Sequence, residues 1–207
     1  MISNENLDLF ITGDFCIQDR ARAMLAEGKR DQLLDMSAFR DVDYKITNLE
    51  GPFIDKGTTT VKTGPSLQNP ESTAQDLKYY GFNLLCLANN HIMDYDDAGL
   101  DSTLRIANQA GIPVVGAGQN KQEAARPFII EKNGLKLAIV NMAENEFIGA
   151  TENTPGFHGY DPVNVFYELA GLKKQADKVL VIFHGGHEHY IYPSPDMQKR
   201  YRYMIDA

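Results

Sequence analysis

Apolar runs of strand length recur along the chain. Six stand out: LDLFIT (7–12), YKITNL (44–49), FNLLCLA (82–88), PVVGA (113–117), LKLAIVNMA (135–143) and DKVLVIFH (177–184). Most are continuous rather than alternating, as strands covered on both faces should be. Asn133-Gly134 sits between two such runs in RPFIIEKNGLKLAIV and predicts a β-hairpin. Helical patterns fill most of the gaps. NPESTAQDLKYYG opens on Asn69-Pro70, read as a cap and first-turn proline, and closes at Gly81. DDAGLDSTLRIANQAG puts Leu100, Leu104, Ile106 and Ala107 near one face and stops at Gly111. VNVFYELAGLKKQA precedes the last strand, and SPDMQKRYRYMIDA starts at Ser194-Pro195. The order predicts an α/β fold with a mostly parallel sheet plus an antiparallel hairpin. There is no internal repeat, and 55–70 reads as a long surface loop.

Composition narrows the class. The 207 residues suit one large domain or two small ones, and 43% hydrophobic content allows a substantial core. A net charge of -8 argues against a nucleic-acid partner gripped through phosphates. An anionic substrate stays open, because a bound metal reverses the local field. Cys16 and Cys86 lie in or beside apolar runs and read as free thiols. MISNENLDLF lacks the pattern of a signal peptide, and no run reaches membrane-span length, so a cytoplasmic protein is expected.

Chemistry collects where the apolar runs stop. Gly13-Asp14 follow the first, Asn48 stands next to last in the second with Glu50 just after it, Asn89-Asn90-His91 follow the third, and the last ends in HGGHEH (184–189). In parallel α/β sheets the carboxyl ends of strands share one edge, where ligands bind. Residues from Asp14 to His184 are therefore expected to meet in one crevice. Each piece has a plain structural alternative: a turn at Gly13-Asp14, capping or surface pairing at Asn48 and Glu50, a hydrogen-bond network at Asn89-Asn90-His91. The conjunction favours a site. Asp14, Glu50, Asn90 and His184 offer oxygen and imidazole nitrogen without thiolate, which suits manganese, iron or zinc. Two such ions sharing a carboxylate are the plan of a two-metal hydrolase. His91 is placed to protonate a leaving oxygen, and Asp94 either orients it or caps the helix near 96. Asn48, Asn89, His187 and Glu188 are the candidates for touching substrate.

ITGDF, TNLEGPF, LANNHIMDY, AGIPVVGAGQN with EAARPFIIEKNGLKLAIV, and FHGGHEHYIYPSP with Gln198 occur in that order. Together they resemble the bacterial capsule-synthesis family associated with poly-γ-glutamate, the CapA-like proteins, which is similar to the calcineurin-like metallophosphoesterases. The resemblance runs from about residue 7 to the end. It implies a layered sandwich in a single domain. Asp14 would be the first metal carboxylate, Glu50 would stand at the bridging position, Asn90 would be the amide ligand, His91 the acid, and His184 a histidine ligand. Glu188 would bind or position substrate. Asp14 is followed by Phe15 and Cys16 rather than by the Asp-x-His of ordinary metallophosphoesterases. The resemblance also implies a further His-x-His strand after residue 207, so the domain is expected to be incomplete, with the rest in the same chain or in a second one, or else with the full centre lost. His187 and His189 are weaker substitutes for those ligands.

Two functions compete: a metal-dependent hydrolase of a phosphoester or related bond, linked to capsule or poly-γ-glutamate metabolism, and a non-catalytic component of polymer synthesis or export. An anionic small molecule or polymer is the expected partner of either. A third reading takes the edge cluster as a structural network without ligand. Glu144, Asn145 and Glu146 read first as a solvated loop, His158 as a surface histidine, and Lys62 as an isolated loop lysine.

Overall fold

A computed structural model describes residues 6–207. The leaderless start read from residues 1–10 falls partly on 1–5, outside the described residues. In order the elements are β1 (Leu9–Phe15), α1 (Asp19–Ala26), α2 (Arg30–Leu33), a 3₁₀ turn (Ser37–Phe39), β2 (Tyr44–Leu49), α3 (Thr73–Tyr79), β3 (Leu84–Cys86), α4 (Asp96–Ala110), β4 (Val114–Val115), β5 (Ala117–Gly118), α5 (Lys121–Ala124), β6 (Phe128–Lys132), β7 (Leu135–Ala143), β8 (Gly156–Phe157), α6 (Asn164–Leu172), β9 (Lys178–His184) and α7 (Pro195–Asp206).

The strands divide into two principal sheets. One is β1-β2-β3-β4, parallel throughout, and the other is β6-β7-β9. In the second, β6 and β7 form the expected hairpin, with positive φ at both Asn133 and Gly134, and β9 runs parallel to β7. The sheets face each other across Ile46, Leu84, Cys86 and Val115 on one side and Ile130, Leu137 and Ile139 on the other. The outer face of the first sheet packs Leu49, Leu85 and Leu87 against Leu77 of α3 and Leu100 of α4. The outer face of the second packs Val140 and Met142 against Val165 and Leu169 of α6 and Met204 of α7. The architecture is a four-layer α/β/β/α sandwich. Every central strand is covered twice, which is why its sequence does not alternate. Each fully buried leucine contributes about 1.5–3 kcal/mol relative to exposure.

Several local expectations are corrected. The run at 113–117 splits into β4 and β5 at Gly116, whose φ is +97°. A Cβ there would stand 2.1 Å from Asn141 Oδ1 and 2.9 Å from the Ala88 nitrogen. Asn141 is the reason: its Oδ1 accepts from Ala88 N at 2.7 Å, and its Nδ2 donates to the Ile182 carbonyl at 3.1 Å. This one side chain ties the end of β3 to the second sheet. Asn69 does not cap α3, which begins at Thr73; it is fully buried and holds three backbone groups around the site. Helices α1 and α2 were not expected, and neither has a buried residue from which a period could be read. Ser194 does cap α7, accepting from Met197 N at 3.3 Å, and Gly111 ends α4 at φ +70°.

Both cysteines are free. Burial pushes the Cys86 thiol up to about 12 and raises Cys16 as well. No helix among the described residues is long and apolar enough to cross a membrane.

Candidate metal-binding site

Register begins the site. After an irregularity between Ile11 and Asp14, β1 pairs Asp14 with Asn48 of β2, and β2 pairs Asn48 with Cys86 of β3. Asp14 therefore lies within the strand end, not in a turn after it. Asn48 Nδ2 donates to Asp14 Oδ1 at 2.7 Å. Asn48 Oδ1 accepts from Asn89 Nδ2 at 3.1 Å. Asn89 Nδ2 also reaches the Leu49 carbonyl at 2.8 Å, and Asn89 Oδ1 accepts the His91 N–H at 3.0 Å. The second sheet supplies the remaining piece. His184, paired with Ala143 at the end of β9, places Nε2 3.1 Å from Asn90 Oδ1 and Nδ1 3.5 Å from Asp14 Oδ1. One end of the sandwich thus joins β1, β2, the segment after β3, and β9 through direct polar contacts.

Glu50 follows β2. Its backbone is fixed, with N–H donating to the Phe15 carbonyl at 3.1 Å and its carbonyl accepting from Asn69 Nδ2 at 2.9 Å. Its carboxylate has no hydrogen-bond or ion-pair partner among the described residues. Burial and the charge of Asp14 raise its pKa. Asp14 goes the other way, lowered chiefly by its hydrogen bond to His184 against the opposing effect of burial. For His184, burial favours the neutral ring, but Asp14 and the charge of Glu50 outweigh it and the pKa rises. The site carries negative charge in excess of its cations, with one carboxylate uncompensated.

His91 stands next along the chain. Its Nδ1 lies 2.7 Å from Asp94 Oδ2. Asp94 is 1% exposed, accepts the Leu67 N–H at 2.6 Å, and forms an ion pair with Lys62. Lys62 Nζ also sits 3.1 Å from His91 Nδ1 and 4.6 Å from the centre of the Phe147 ring. The loop 55–70 is therefore strapped to the segment after β3. Thr60 adds to the strap: its N–H donates to the Asp94 carbonyl at 2.9 Å, and its hydroxyl to the Met93 carbonyl at 2.7 Å.

Asp14, Glu50, Asn90, His184, His187 and Glu188 line a single cleft of 420 Å³. Glu144 and Glu146 line it too, although they read in sequence as a solvated loop; Glu144 is held by Arg200 at 2.6 Å. Asn48 and Asn89 are corrected as substrate contacts. They are 7% and 0% exposed, and their amides are spent on Asp14, on each other and on backbone, so they hold the site from beneath. His158 is not a surface residue either: it is buried, with Nδ1 3.1 Å from the Asn141 carbonyl and Nε2 3.2 Å from Glu168. His189 is exposed, and its nearest ionic neighbour is Glu188 at 3.8 Å. Nothing local to a Thr/Gly-rich loop predicts the burial of Lys62. Its only signal was being the one lysine between Gly57 and Gly64.

As a cation site the cleft fits in donor chemistry: two carboxylates, an amide oxygen and an imidazole, one carboxylate unpartnered. It is not a closed shell, since no three His, Cys, Asp or Glu side chains among the described residues group as metal ligands.

The fold is that of the metallophosphoesterases. A phosphatase from Mycoplasma pneumoniae superposes with a TM-score of 0.52 at 17% identity, covering 97% of this chain and 60% of the other. A candidate 5′-nucleotidase from Staphylococcus aureus superposes at 0.53 and 16% identity, covering 96% and 42%. Within that class, the profile of the bacterial capsule synthesis protein family PGA_cap matches residues 8–207, and the chain belongs to this family. The capsule biosynthesis protein CapA of Bacillus anthracis is 27% identical over 99% of this chain and 52% of its own length. The PGA biosynthesis protein CapA of Bacillus subtilis is 31% identical over 82% and 46%. The chain spans about half the length of these curated relatives.

Proposed function

We propose that the cleft is the site of a metal-dependent hydrolase acting on a phosphoester or related bond, in the service of capsule or poly-γ-glutamate metabolism. The observation that carries the reading is the meeting of Asp14, Asn90 and His184, from three separate elements, beside the unpartnered carboxylate of Glu50. Asp14, Glu50, Asn90 and His184 would hold the cation. A divalent ion bound there would polarise the scissile bond and acidify water. His91 would donate the proton to the leaving oxygen. His91 adjoins the cleft-lining Asn90 without lining the cleft itself; with Nδ1 turned to Asp94, its Nε2 would be the nitrogen available for that transfer. Asp94 fixes that orientation, and Lys62 balances Asp94 where water is excluded. His187 and Glu188 at the exposed lip would meet the substrate.

The test is metal analysis of purified protein together with hydrolysis of bis(p-nitrophenyl) phosphate. Manganese, iron or zinc should bind stoichiometrically. Asp14→Ala and Asn90→Ala should lose the metal and lower turnover by at least ~100-fold. The open shell favours one second reading, a crevice that holds an anionic polymer without cutting it. Metal binding with polymer affinity but no turnover in the purified protein would select it.

A further inference from the structure

β2 carries a second anomaly at its opposite end. Lys45 lies five residues before Glu50, roughly 16 Å away at strand rise. Its backbone is locked by Asn83: the Lys45 N–H donates to Asn83 Oδ1 at 2.8 Å, and its carbonyl accepts the Asn83 N–H at 3.0 Å. The residue is only 9% exposed, yet its ammonium makes no hydrogen bond or ion pair with any described residue. The other buried charged side chains, Asp76 and Asp94, both have cationic partners. The ammonium is not sealed in the core but opens onto a cavity, where its three donors can reach a group from outside the chain.

The surroundings say what kind. The ammonium lies beside Gly81, just past the end of α3, and a Cβ at Gly81 would stand 2.8 Å from Nζ. The carboxyl end of a helix favours positive charge. That accounts for the sign of the group but leaves its donors unused. Lys45 and Gly81 line a cavity of 360 Å³ shared with Tyr80, Arg40, Asp31 and Asp35, a size within the range of small-molecule sites. Its two anions are engaged: Asp31 Oδ1 accepts the Tyr79 hydroxyl at 2.7 Å, and Asp35 Oδ1 accepts the Ser37 N–H at 2.9 Å. Lys45 and Arg40 make no hydrogen bond or ion pair among the described residues, and Arg40 acts on Asp35 through its charge alone.

We propose that this cavity binds a small oxyanion, a phosphate or carboxylate group, received by Lys45 at the base and Arg40 at the rim. Hydroxyl groups on the same molecule would donate to the free lone pairs of Asp31 and Asp35. The site is separate from the metal cleft, and neither proposal depends on the other.

Thermal unfolding of the whole chain in EDTA tests it, with inorganic phosphate or glycolate added against sodium chloride of matched ionic strength. The melting temperature of the unsubstituted protein should rise by about 5 °C at a hundredfold excess over Kd. The rise should vanish in Lys45→Met and shrink in Arg40→Gln, and the anion giving the larger rise identifies the group. Comparison with Lys45→Met subtracts any anion held elsewhere. Equal rises in the unsubstituted protein and Lys45→Met, or no rise with either anion, would overturn the site. Should Lys45→Met fail to fold, an undiminished rise in exposed-rim Arg40→Gln overturns it equally.

Discussion

The two polar motifs that meet in the cleft are built in opposite ways. Asn89-Asn90-His91-x-x-Asp94 is sunk into the fold: Asn89 and Asp94 are sealed from solvent, and their polar groups are engaged by Asn48, Leu49, Leu67 and Lys62. The HGGHEH segment beyond His184 is the reverse. Gly185 to His189 are exposed, and the segment is tied to the rest chiefly by the Gly186 N–H to Glu144 at 3.3 Å. The richer motif in histidines is the looser one. Preorganisation therefore comes from amides and a carboxylate in the core, while the lip can adapt.

That contrast can be broken at the rigid side first. Asp94→Ala strands the buried Lys62 ammonium and frees the loop 55–70. It should cost about 3–5 kcal/mol, read as a lower denaturant midpoint. If the melting curve does not move, the ion pair is not the strap described. Asn89→Ala leaves the Leu49 carbonyl and the His91 N–H unpaired and should cost about 2–3 kcal/mol. At the lip the expectation reverses. His187→Ala and Glu188→Ala should leave stability within about 0.5 kcal/mol, while KM for a hydrolysed substrate rises several-fold. A stability loss as large as that of Asn89→Ala would erase the distinction between the two motifs.

The smallest effect lies away from both. Asp161 Oδ1 accepts the Val163 and Asn164 N–H groups at 2.8 and 3.0 Å, and these bonds hold its carboxyl below the ordinary value of 3.8. A carboxyl depressed in the folded state stabilises above its unfolded pKa, and that contribution is lost as pH falls through the folded value. Denaturant midpoints of the unsubstituted protein and Asp161→Asn should therefore converge below about pH 3.8. A constant gap across that range counts against the assignment.

Legibility followed the range of the interactions. The strands at 44–49, 135–143 and 177–184, the Asn133-Gly134 hairpin, the Gly111 stop and the Ser194 cap depend on neighbours within a few residues, and the sequence shows them. The convergence of Asp14, Asn90 and His184 was legible because strand ends carry their cargo to one edge. Asn69 was misread because a cap and a buried three-way tie use the same side chain. Lys62 was missed because its burial depends on Asp94, a partner placed by a different element. Asn48 and Asn89 were seen as functional but on the wrong side of the site, because polarity alone does not say which atoms are already engaged.

What the amino-acid order determined by itself is the set of doubly covered strands and the donors at their ends, because apolar period and local turns are properties of adjacent residues. Only the tertiary structure decided that the strands form two facing sheets, that Asn141 joins them beneath the site, and that one lysine closes on Asp94 while another lines a separate cavity. Those outcomes depend on which surfaces exclude water together, and that is set by contacts between residues far apart in the chain, such as Ala88 with Asn141 and Asn48 with His184, 53 and 136 positions apart.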